Sequence, residues 1–326
     1  MSIIKVAFFG SKNESKDFDP ARDIQPLTGR VILITGAAGD LGRQTAIDLA
    51  RHGRPAQIVI ADLPRDAAGV EAALSAIRTA LPPDTASTVR LDFLPIDLSS
   101  FASIRSAASA FLSLSSNRLD ILILNAGIMP VSHGVTSDGY EKVFGVNYLG
   151  HALLTRLLLP TLQSTTSMNQ DVRIVIVASE GHAMAPKGGI VFDTLKTEAK
   201  KLNHFRRYGQ SKVALIAFAK ELAQRYPDIK TAAIHPGRIS TGLSTELVQK
   251  SWIIRLTGPI SRFVVTTVEL GARNQVWAAT SADVVSGRYY VPVGVVDEKT
   301  VVERDQGLAG RLWEWTEGEL KGVDKI

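Results

Sequence analysis

The stretch VILITGAAGDLG, residues 31–42, decides the fold because an apolar run ends there in glycines before a helical pattern begins. The run 31–34 is continuously apolar, which is typical of a strand buried on both faces of a parallel sheet. The small residues that follow let backbone N–H groups approach a pyrophosphate at a helix N-terminus. Because the turn directly follows the first buried strand, it favours a dinucleotide site over an ordinary tight turn.

The same strand-to-helix alternation continues outward from this stretch. Further continuously apolar runs lie at residues 58–60, 121–124, 174–177 and 231–234. Helical patterns lie between the runs, at residues 41–52, 69–81, 100–114, 140–162 and 208–226. This alternation predicts an α/β fold with helices on both faces of an open sheet. We expect one Rossmann-type doubly wound domain with seven parallel strands at 29–296, an N-terminal arm at 1–28, and a C-terminal tail with a short helix at 297–326.

Composition excludes several classes of protein. The 326 residues are 45% hydrophobic and 21% charged, as in ordinary globular proteins, and contain no Cys, which removes disulfides and thiolate metal sites. The six His show no metal-ligand spacing, so no metal is expected. A net charge of +5 is too small to demand nucleic acid. The N-terminal apolar run is too short for a signal peptide, and no segment is apolar enough for a membrane span, so we expect a cytoplasmic protein.

Further motifs follow the glycine turn in a fixed order. They are Asp97-Leu98 after the third strand, Asn125-Ala126-Gly127 after the fourth, Asn147, Ser179 at the end of the fifth, Tyr208-Gly209-Gln210-Ser211-Lys212, and Pro236-Gly237 after the sixth. In this order the chain resembles the short-chain dehydrogenase/reductase family from about residue 28 to residue 300. Ser179 and Tyr208 are 29 positions apart, and GIVFDTL at 189–195 between them resembles the insert of retinol-dehydrogenase-like members. The late GRYYVPVG at 287–294 resembles fungal members of that group.

The resemblance implies that Asn147, Ser179, Tyr208 and Lys212 are catalytic. Tyr208 and Lys212 are four residues apart, so they share one helix face. A free Tyr, with a pKa of about 10, is a poor base, and a nearby ammonium favours tyrosinate. Ser179 would stabilise charge on the substrate oxygen, and Asn147 would hold a water that links Lys212 to solvent.

The resemblance also implies a set of dinucleotide contacts. They are Thr35, Gly36, Gly39, Asp40, Leu41, Gly42, Asp62, Asp97, Leu98, Asn125, Ala126, Gly127, Tyr208, Lys212, Pro236 and Gly237. Asp62 ends the second strand, where its carboxylate can accept hydrogen bonds from ribose hydroxyls and would repel a 2′-phosphate. NAD is therefore the preferred cofactor, although Arg43 and Arg65 leave NADP open.

The glycine motif departs from the oxidoreductase pattern of the family. Gly39 and Asp40 give the spacing GxxGxxG, which is associated with extended, epimerase-like members. An aspartate beside a pyrophosphate is repulsive unless it turns away, so we expect Asp40 to cap a helix that begins at Leu41. An epimerase or dehydratase on the same fold therefore stays open, as does a non-enzymatic dinucleotide sensor.

The function that we expect is NAD(P)-dependent interconversion of a secondary alcohol and a ketone on a lipophilic small-molecule metabolite, in secondary metabolism. The apolar segment 241–268, with Trp252, is expected to cover the substrate. His182 and His235 are expected near the site, His235 in a structural role, while the role of His182 stays open. The resemblance implies a homodimer or homotetramer. Its contact would use the outer apolar residues of two helices, Leu157, Leu158, Ala217 and Phe218.

Overall fold

The computed structural model describes residues 15–129, 132–237, 267–323 and 325. Its strands are β1 (Val31–Thr35), β2 (Gln57–Asp62), β3 (Arg90–Pro95), β4 (Ile121–Leu124), β5 (Val172–Val177), β6 (Ile229–Ile234), β7 (Tyr289–Val291) and β8 (Val295–Val296). They form one sheet in the order β3-β2-β1-β4-β5-β6-β7-β8. The strand order reverses between β1 and β4, which is where doubly wound sheets bind their ligands.

The predicted α/β fold with a parallel sheet is confirmed, but the number of strands is wrong. Neighbours from β3 to β7 are parallel, whereas the eighth strand, Val295–Val296, is antiparallel to β7. Two residues are too few to show any periodicity, so this strand leaves no signal in the sequence.

The α-helices are α1 (Pro20–Asp23), α2 (Asp40–Asp48), α3 (Ala67–Arg78), α4 (Pro83–Thr88), α5 (Phe101–Leu114), α6 (Lys142–Phe144), α7 (Gly150–Thr166), α8 (His204–Arg225), α9 (Val268–Thr280), α10 (Val301–Arg304) and α11 (Leu308–Leu320). Two π-helical segments, Leu49–Gly53 and Gly145–Leu149, interrupt patterns that the sequence presents as continuous helices. Within the described ranges, no helix is long and apolar enough to cross a membrane.

The central strands are buried on both faces, as their continuous apolar runs predict. Successive residues point to opposite sides of the sheet, so Leu33 enters one core and Ile34 enters the other. The first core contains Phe218 of α8, and the second contains Trp277 of α9. Helices therefore cover both faces and leave the ends of the strands as the accessible part of the sheet.

The N-terminal arm is more than an external segment. Lys16 N–H donates to the carbonyl of Val293 over 2.9 Å, and Val293 N–H donates to Ser15 Oγ over 3.0 Å. Phe18, Ile24 and Leu27 are buried in the core beside α2 and α9. The prolines at 20 and 26 keep this stretch from any regular periodicity, which is why the sequence suggested an arm outside the core.

The C-terminal helix α11 packs on the body. The Trp313 ring stacks on Phe218 at 6.1 Å between centroids, and the Trp315 ring lies edge-on to Phe144 at 5.7 Å. The Tyr148 hydroxyl and Thr316 Oγ1 are 2.7 Å apart. This helix therefore extends the core on the α8 side.

The residues expected to form a dimer contact do not face outward. Leu157, Leu158, Ala217 and Phe218 are all buried within one chain. The expectation that they are outer apolar residues is wrong. Phe218 is covered by Trp313 of α11. Sequence periodicity shows which face of a helix is apolar but does not show which segment covers it.

Replacing Trp315 with Ala tests the packing of α11. The half-buried indole contacts Tyr140 and Phe144, so we expect the free energy of unfolding to fall by about 2–4 kcal/mol, at or below the ~3–5 kcal/mol typical of fully buried Trp. Urea denaturation measures it. Glu314→Ala, at an exposed position of the same helix, should stay within ~0.5 kcal/mol of wild type. Equal effects of the two substitutions would show that α11 is not docked.

Candidate functional site

The carboxyl ends of the strands open into a cleft of about 2150 Å³. The lining includes every residue predicted from the sequence to contact dinucleotide except Thr35, and it includes Ser179 as well. Thr35 and Asn147 are fully buried beneath the floor of the cleft. The structure therefore brings the predicted residues together from turns that are far apart in sequence.

The glycine turn packs against the loop after β4 at very short range. Gly36 has φ of +68°, and a Cβ there would lie 2.9 Å from the Cα of Ala126. A Cβ on Gly42 would lie 2.6 Å from the carbonyl oxygen of Gly36. Both positions need glycine, the first for conformation as well as space. This contact brings the N-terminus of α2 to the edge of the cleft.

Asp40 does not cap a helix that begins at Leu41. Helix α2 already begins at Asp40, and its N-cap is Gly39, which provides no side-chain cap. The Asp40 carboxylate pairs with Arg43 one turn along, at 3.0 Å between Nη2 and Oδ1. An uncapped N-terminus favours an anion, and the Arg43 charge offsets the repulsion that Asp40 alone would exert on a phosphate.

Asp62 is held at the end of β2. Its Oδ2 accepts from Ala38 N–H over 3.0 Å, and its Oδ1 accepts from Leu63 N–H over 2.9 Å. Arg65 Nη2 lies 3.3 Å from Oδ1, so this arginine pairs with the carboxylate. Two backbone donors fix the Asp62 carboxylate on the wall of the cleft beside the glycine turn.

Asp97 is fixed in the next turn along the sheet edge. Its Oδ1 accepts from both the N–H and the hydroxyl of Ser99, over 2.8 and 2.7 Å, and its own N–H donates to Ser103 Oγ. The neighbouring Leu98 also lines the cleft. Both residues therefore occupy the place at which the sequence predicted them.

Ser179, Tyr208 and Lys212 meet at the floor of the cleft. Lys212 Nζ donates to the carbonyl of Val177 over 2.9 Å and lies 5.5 Å from the centre of the Tyr208 ring. The Ser179 hydroxyl accepts from Gly181 N–H over 3.0 Å. A Cβ on Gly181 would lie 2.6 Å from the Tyr208 ring, so a glycine here leaves room for that ring.

Burial controls the protonation of Tyr208 and Lys212. Removal from water raises the pKa of Tyr208, while the hydrogen bond with Ser179 lowers it and the charge of Glu180 raises it. Burial also lowers the pKa of Lys212 to about 8. Burial, the largest of these causes, favours the neutral Tyr208 hydroxyl over tyrosinate.

Asn147 lies in the π-helical segment Gly145–Leu149, at which the long helix pattern breaks. Its Oδ1 accepts from Ile128 N–H over 2.7 Å, and its Nδ2 donates to the Ile128 carbonyl and to Ser211 Oγ. The Ser211 hydroxyl in turn donates to the carbonyl of Tyr208 over 2.7 Å. The side chain thus clamps the loop after β4 to α8, and the water-holding role that the resemblance implies stays a prediction.

Sequence reasoning missed His151, which joins these parts. Its Nδ1 lies 2.9 Å from the carbonyl of Asn147, and its Nε2 lies 2.9 Å from Thr35 Oγ1. A carbonyl only accepts, so Nδ1 carries the proton and the Thr35 hydroxyl donates to Nε2. Burial lowers the pKa of His151 to about 4, so the ring is neutral. The spacing of four residues from Asn147 was the available signal.

Thr35 connects His151 to the loop after β4. Its Oγ1 accepts from the N–H groups of Asn125 and Ala126 over 2.9 and 3.0 Å. With the donation to His151, one hydroxyl makes all three of its hydrogen bonds. Thr35 therefore acts below the glycine turn and not on the wall of the cleft.

The two histidines expected near the site both line the cleft. His235 N–H donates to the Tyr290 carbonyl, and its own carbonyl accepts from Asn274 Nδ2, so its backbone is fixed to β7 and α9. His182 lies on the 3₁₀ turn Glu180–Met184. Of the predicted cover, only Thr267 and Val268 are described, and Trp252 lies outside the described residues.

Comparisons with known proteins find similar sequences over most of the chain. The family model described as short chain dehydrogenase matches residues 30–197. The short-chain dehydrogenase/reductase drtF of Aspergillus calidoustus is 36% identical over 311 residues, 90% of this chain and 95% of that protein. Retinol dehydrogenase 13 of Homo sapiens is 35% identical over 294 residues, 88% of this chain and 83% of that protein.

A solved structure with the same fold contains a dinucleotide. The 3-ketoacyl-(acyl-carrier-protein) reductase from Brucella melitensis, complexed with NADH, is similar at a TM-score of 0.59 and 26% identity, covering 82% of this chain and 98% of that one. Fold, motifs and relatives define one class of proteins. The chain belongs to the short-chain dehydrogenase family.

The buried Lys212 gives the stability a defined pH dependence. Below pH 8 its ammonium is charged in both states, and burial makes the folded state less stable. Between about pH 8 and 10.5 the folded state loses its proton first, so this penalty disappears. We expect wild type to gain up to ~3 kcal/mol relative to Lys212→Met across this range, measured by urea denaturation at fixed ionic strength. A constant difference between the two proteins would contradict the burial of a charged Lys212.

Proposed function

We propose that this protein is an NAD(P)-dependent oxidoreductase that interconverts a secondary alcohol and a ketone. The observation that carries the proposal is the meeting of Ser179, Tyr208 and Lys212 in the cleft that the glycine turn and Asp62 also line. The cleft fits a dinucleotide because the N-terminus of α2 has no side-chain cap and opens toward it, and a fixed carboxylate follows at the end of β2. When bound, the dinucleotide supplies or accepts the hydride.

The side chains of the chain supply the proton. In ketone reduction, the neutral Tyr208 hydroxyl donates its proton to the substrate oxygen, and in alcohol oxidation the tyrosinate takes it back. Ser179 is beside Tyr208 and donates a hydrogen bond to the same oxygen, where negative charge develops. Lys212, whose pKa is lowered to about 8, stabilises tyrosinate when protonated.

Two alternative functions are possible on this fold. An epimerase or dehydratase would use the same tyrosine and lysine, whereas a non-enzymatic dinucleotide sensor would use neither for catalysis. An epimerase or dehydratase would need a second binding region for its larger substrate, but the tail from residue 301 forms α10 and α11, and α11 packs on the body. A non-enzymatic dinucleotide sensor has no need for a tyrosine and a lysine placed at the floor of the cleft. Turnover of NADH or NADPH with a panel of ketones separates the three functions.

Replacing Tyr208 with Phe tests the proposed acid. Turnover should fall by about 10²–10⁴-fold because the proton donor is lost, while dinucleotide affinity stays near wild type. Steady-state kinetics and fluorescence titration of the dinucleotide measure the two effects. Lys212→Ala is the comparison, since it should damage both turnover and binding. A Tyr208→Phe enzyme that keeps more than about a tenth of its turnover would contradict the assignment.

The cofactor that we propose is NAD. Asp62 is fixed by two backbone donors, and Arg65 is already paired with it. A 2′-phosphate within ~4 Å of this carboxylate would experience a repulsion of roughly 4 kcal/mol per charge pair at an effective dielectric of ~20, before relaxation. Arg43 is engaged with Asp40. Both arginines are partly exposed and would have to leave their present partners to bind a phosphate.

Replacing Asp62 with Ser should shift the preference from NAD(H) toward NADP(H). The serine cannot hold both ribose hydroxyls as a carboxylate does, and it no longer repels the phosphate. The ratio of kcat/KM for the two cofactors is the measurement, and Asp66→Ser, at a nearby exposed carboxylate, is the control. Wild-type enzyme that prefers NADP(H) would show that the arginines, and not Asp62, decide cofactor choice.

The remaining expectations stay predictions. The name of the human relative supports a lipophilic alcohol or carbonyl substrate, and a place in secondary metabolism and in the cytoplasm rests on the sequence alone. A homodimer or homotetramer would need a contact other than Leu157, Leu158, Ala217 and Phe218, because these side chains are buried within one chain.

A further inference from the structure

The part of the cleft beyond the proposed dinucleotide contacts has a polar wall. Its lining comes from the 3₁₀ turn Glu180–Met184 after β5 and from residues 295–299, which contain β8 and the turn after it. These two segments contribute the ionisable side chains of His182 and Asp297. A few fixed polar groups on the wall of a cleft orient a ligand that can form hydrogen bonds with them.

His182 and Asp297 face each other across this wall. Nε2 of His182 lies 4.0 Å from Oδ2 of Asp297, which is too far for a hydrogen bond. The ring is supported edge-on by Tyr289, at 5.4 Å between centroids. Asp297 is fixed by its backbone, whose N–H donates to the Tyr289 carbonyl, and by its Oδ1, which accepts from Lys299 N–H over 2.9 Å. Both side chains are therefore held in place.

The side chains of His182 and Asp297 also have hydrogen-bonding capacity that the described residues do not use. Among the residues that the structure describes, neither the His182 ring nor Oδ2 of Asp297 makes a hydrogen bond. The Tyr289 hydroxyl between these segments is buried and, within the same described ranges, has no hydrogen-bond partner. Burial lowers the pKa of His182, and Arg304 lowers it further, while Asp297 and Glu180 raise it. A neutral ring then offers one donor and one acceptor.

We propose that His182 and Asp297 form a substrate subsite that binds a second hydroxyl group, distinct from the oxygen at the reacting carbon. A hydroxyl both donates and accepts, so it can donate to Oδ2 of Asp297 and accept from Nε2–H of His182. This inference rests on the proposed function, and it narrows the substrate class from lipophilic ketones to hydroxylated ketones and the corresponding diols.

The position of the subsite limits where the hydroxyl lies. His182 is three residues after Ser179, one turn of a 3₁₀ helix, and such a turn rises by ~6 Å. We therefore choose a probe whose second hydroxyl is separated from its reacting oxygen by a comparable distance. A 1,4-relationship on a six-membered ring gives a similar separation, which makes 4-hydroxycyclohexanone a suitable probe and cyclohexanone its matched partner.

The test compares kcat/KM for these two ketones. Wild type should favour 4-hydroxycyclohexanone by at least about tenfold, because a site built to bind a hydroxyl discriminates against the analogue without it. Asp297→Asn keeps an Oδ1 that accepts from Lys299 N–H but replaces the accepting Oδ2 by a donor. It should reduce the ratio of the two kcat/KM values to about one and change kcat/KM for cyclohexanone by less than about threefold. His182→Phe, which keeps a ring beside Tyr289, should do the same.

Glu298→Gln is the matched control, since this neighbouring carboxylate lines the cleft but is largely exposed, and the preference should survive in it. The inference is overturned if wild type shows no preference, or if Asp297→Asn lowers kcat/KM equally for both ketones. Binding of cyclohexane-1,4-diol and cyclohexanol, measured by calorimetry, provides a readout independent of turnover. If no ketone of the wider panel is reduced, the proposed function fails, whereas equal affinity for diol and cyclohexanol rejects the subsite.

Discussion

The hydroxyl of Thr35 is the interaction on which the functional edge of the sheet depends. It accepts from Asn125 and Ala126 at the end of β4 and donates to His151 at the start of α7. His151 bonds the Asn147 carbonyl, and Ser211 carries the connection to Tyr208. Because a buried polar group left without a partner costs about 1–3 kcal/mol, each link fixes the next. The glycine turn and the proposed proton donor are thus parts of one buried network.

This network explains why the floor of the cleft and its outer wall differ. The floor is built from strand ends and from α8, and hydrogen bonds through Thr35, His151 and Asn147 connect these elements. The wall beyond Tyr208 is built from a short 3₁₀ turn and from β8, and it presents His182 and Asp297 toward the cleft. A fixed floor suits a reaction shared by a whole family, whereas a wall made of short segments suits recognition of a particular substrate.

Much of this architecture could be predicted from local sequence. Continuous apolar runs identified the central strands, and small residues at Gly36 and Gly42 identified the turn, because burial and close approach restrict residue types directly. The rest depended on partners distant in sequence. Nothing near Phe218 indicates that Trp313 packs on it. Asp40 is an exception with a local partner, because an acidic residue at a helix start can either cap the helix or pair with an arginine three residues on, and the sequence does not choose between the two. The π-helical segment around Asn147 and the two-residue β8 are likewise invisible to periodicity.

A crystal structure of the protein with NAD bound tests the central claim most directly. That claim is that the cleft at the carboxyl edge holds a dinucleotide along the line from Asp62 to Tyr208. The account predicts the adenosine ribose at the Asp62 carboxylate, the pyrophosphate at the N-terminus of α2, and the nicotinamide beside Tyr208 and Lys212. A dinucleotide bound elsewhere, or one with its nicotinamide turned away from Tyr208, would contradict it.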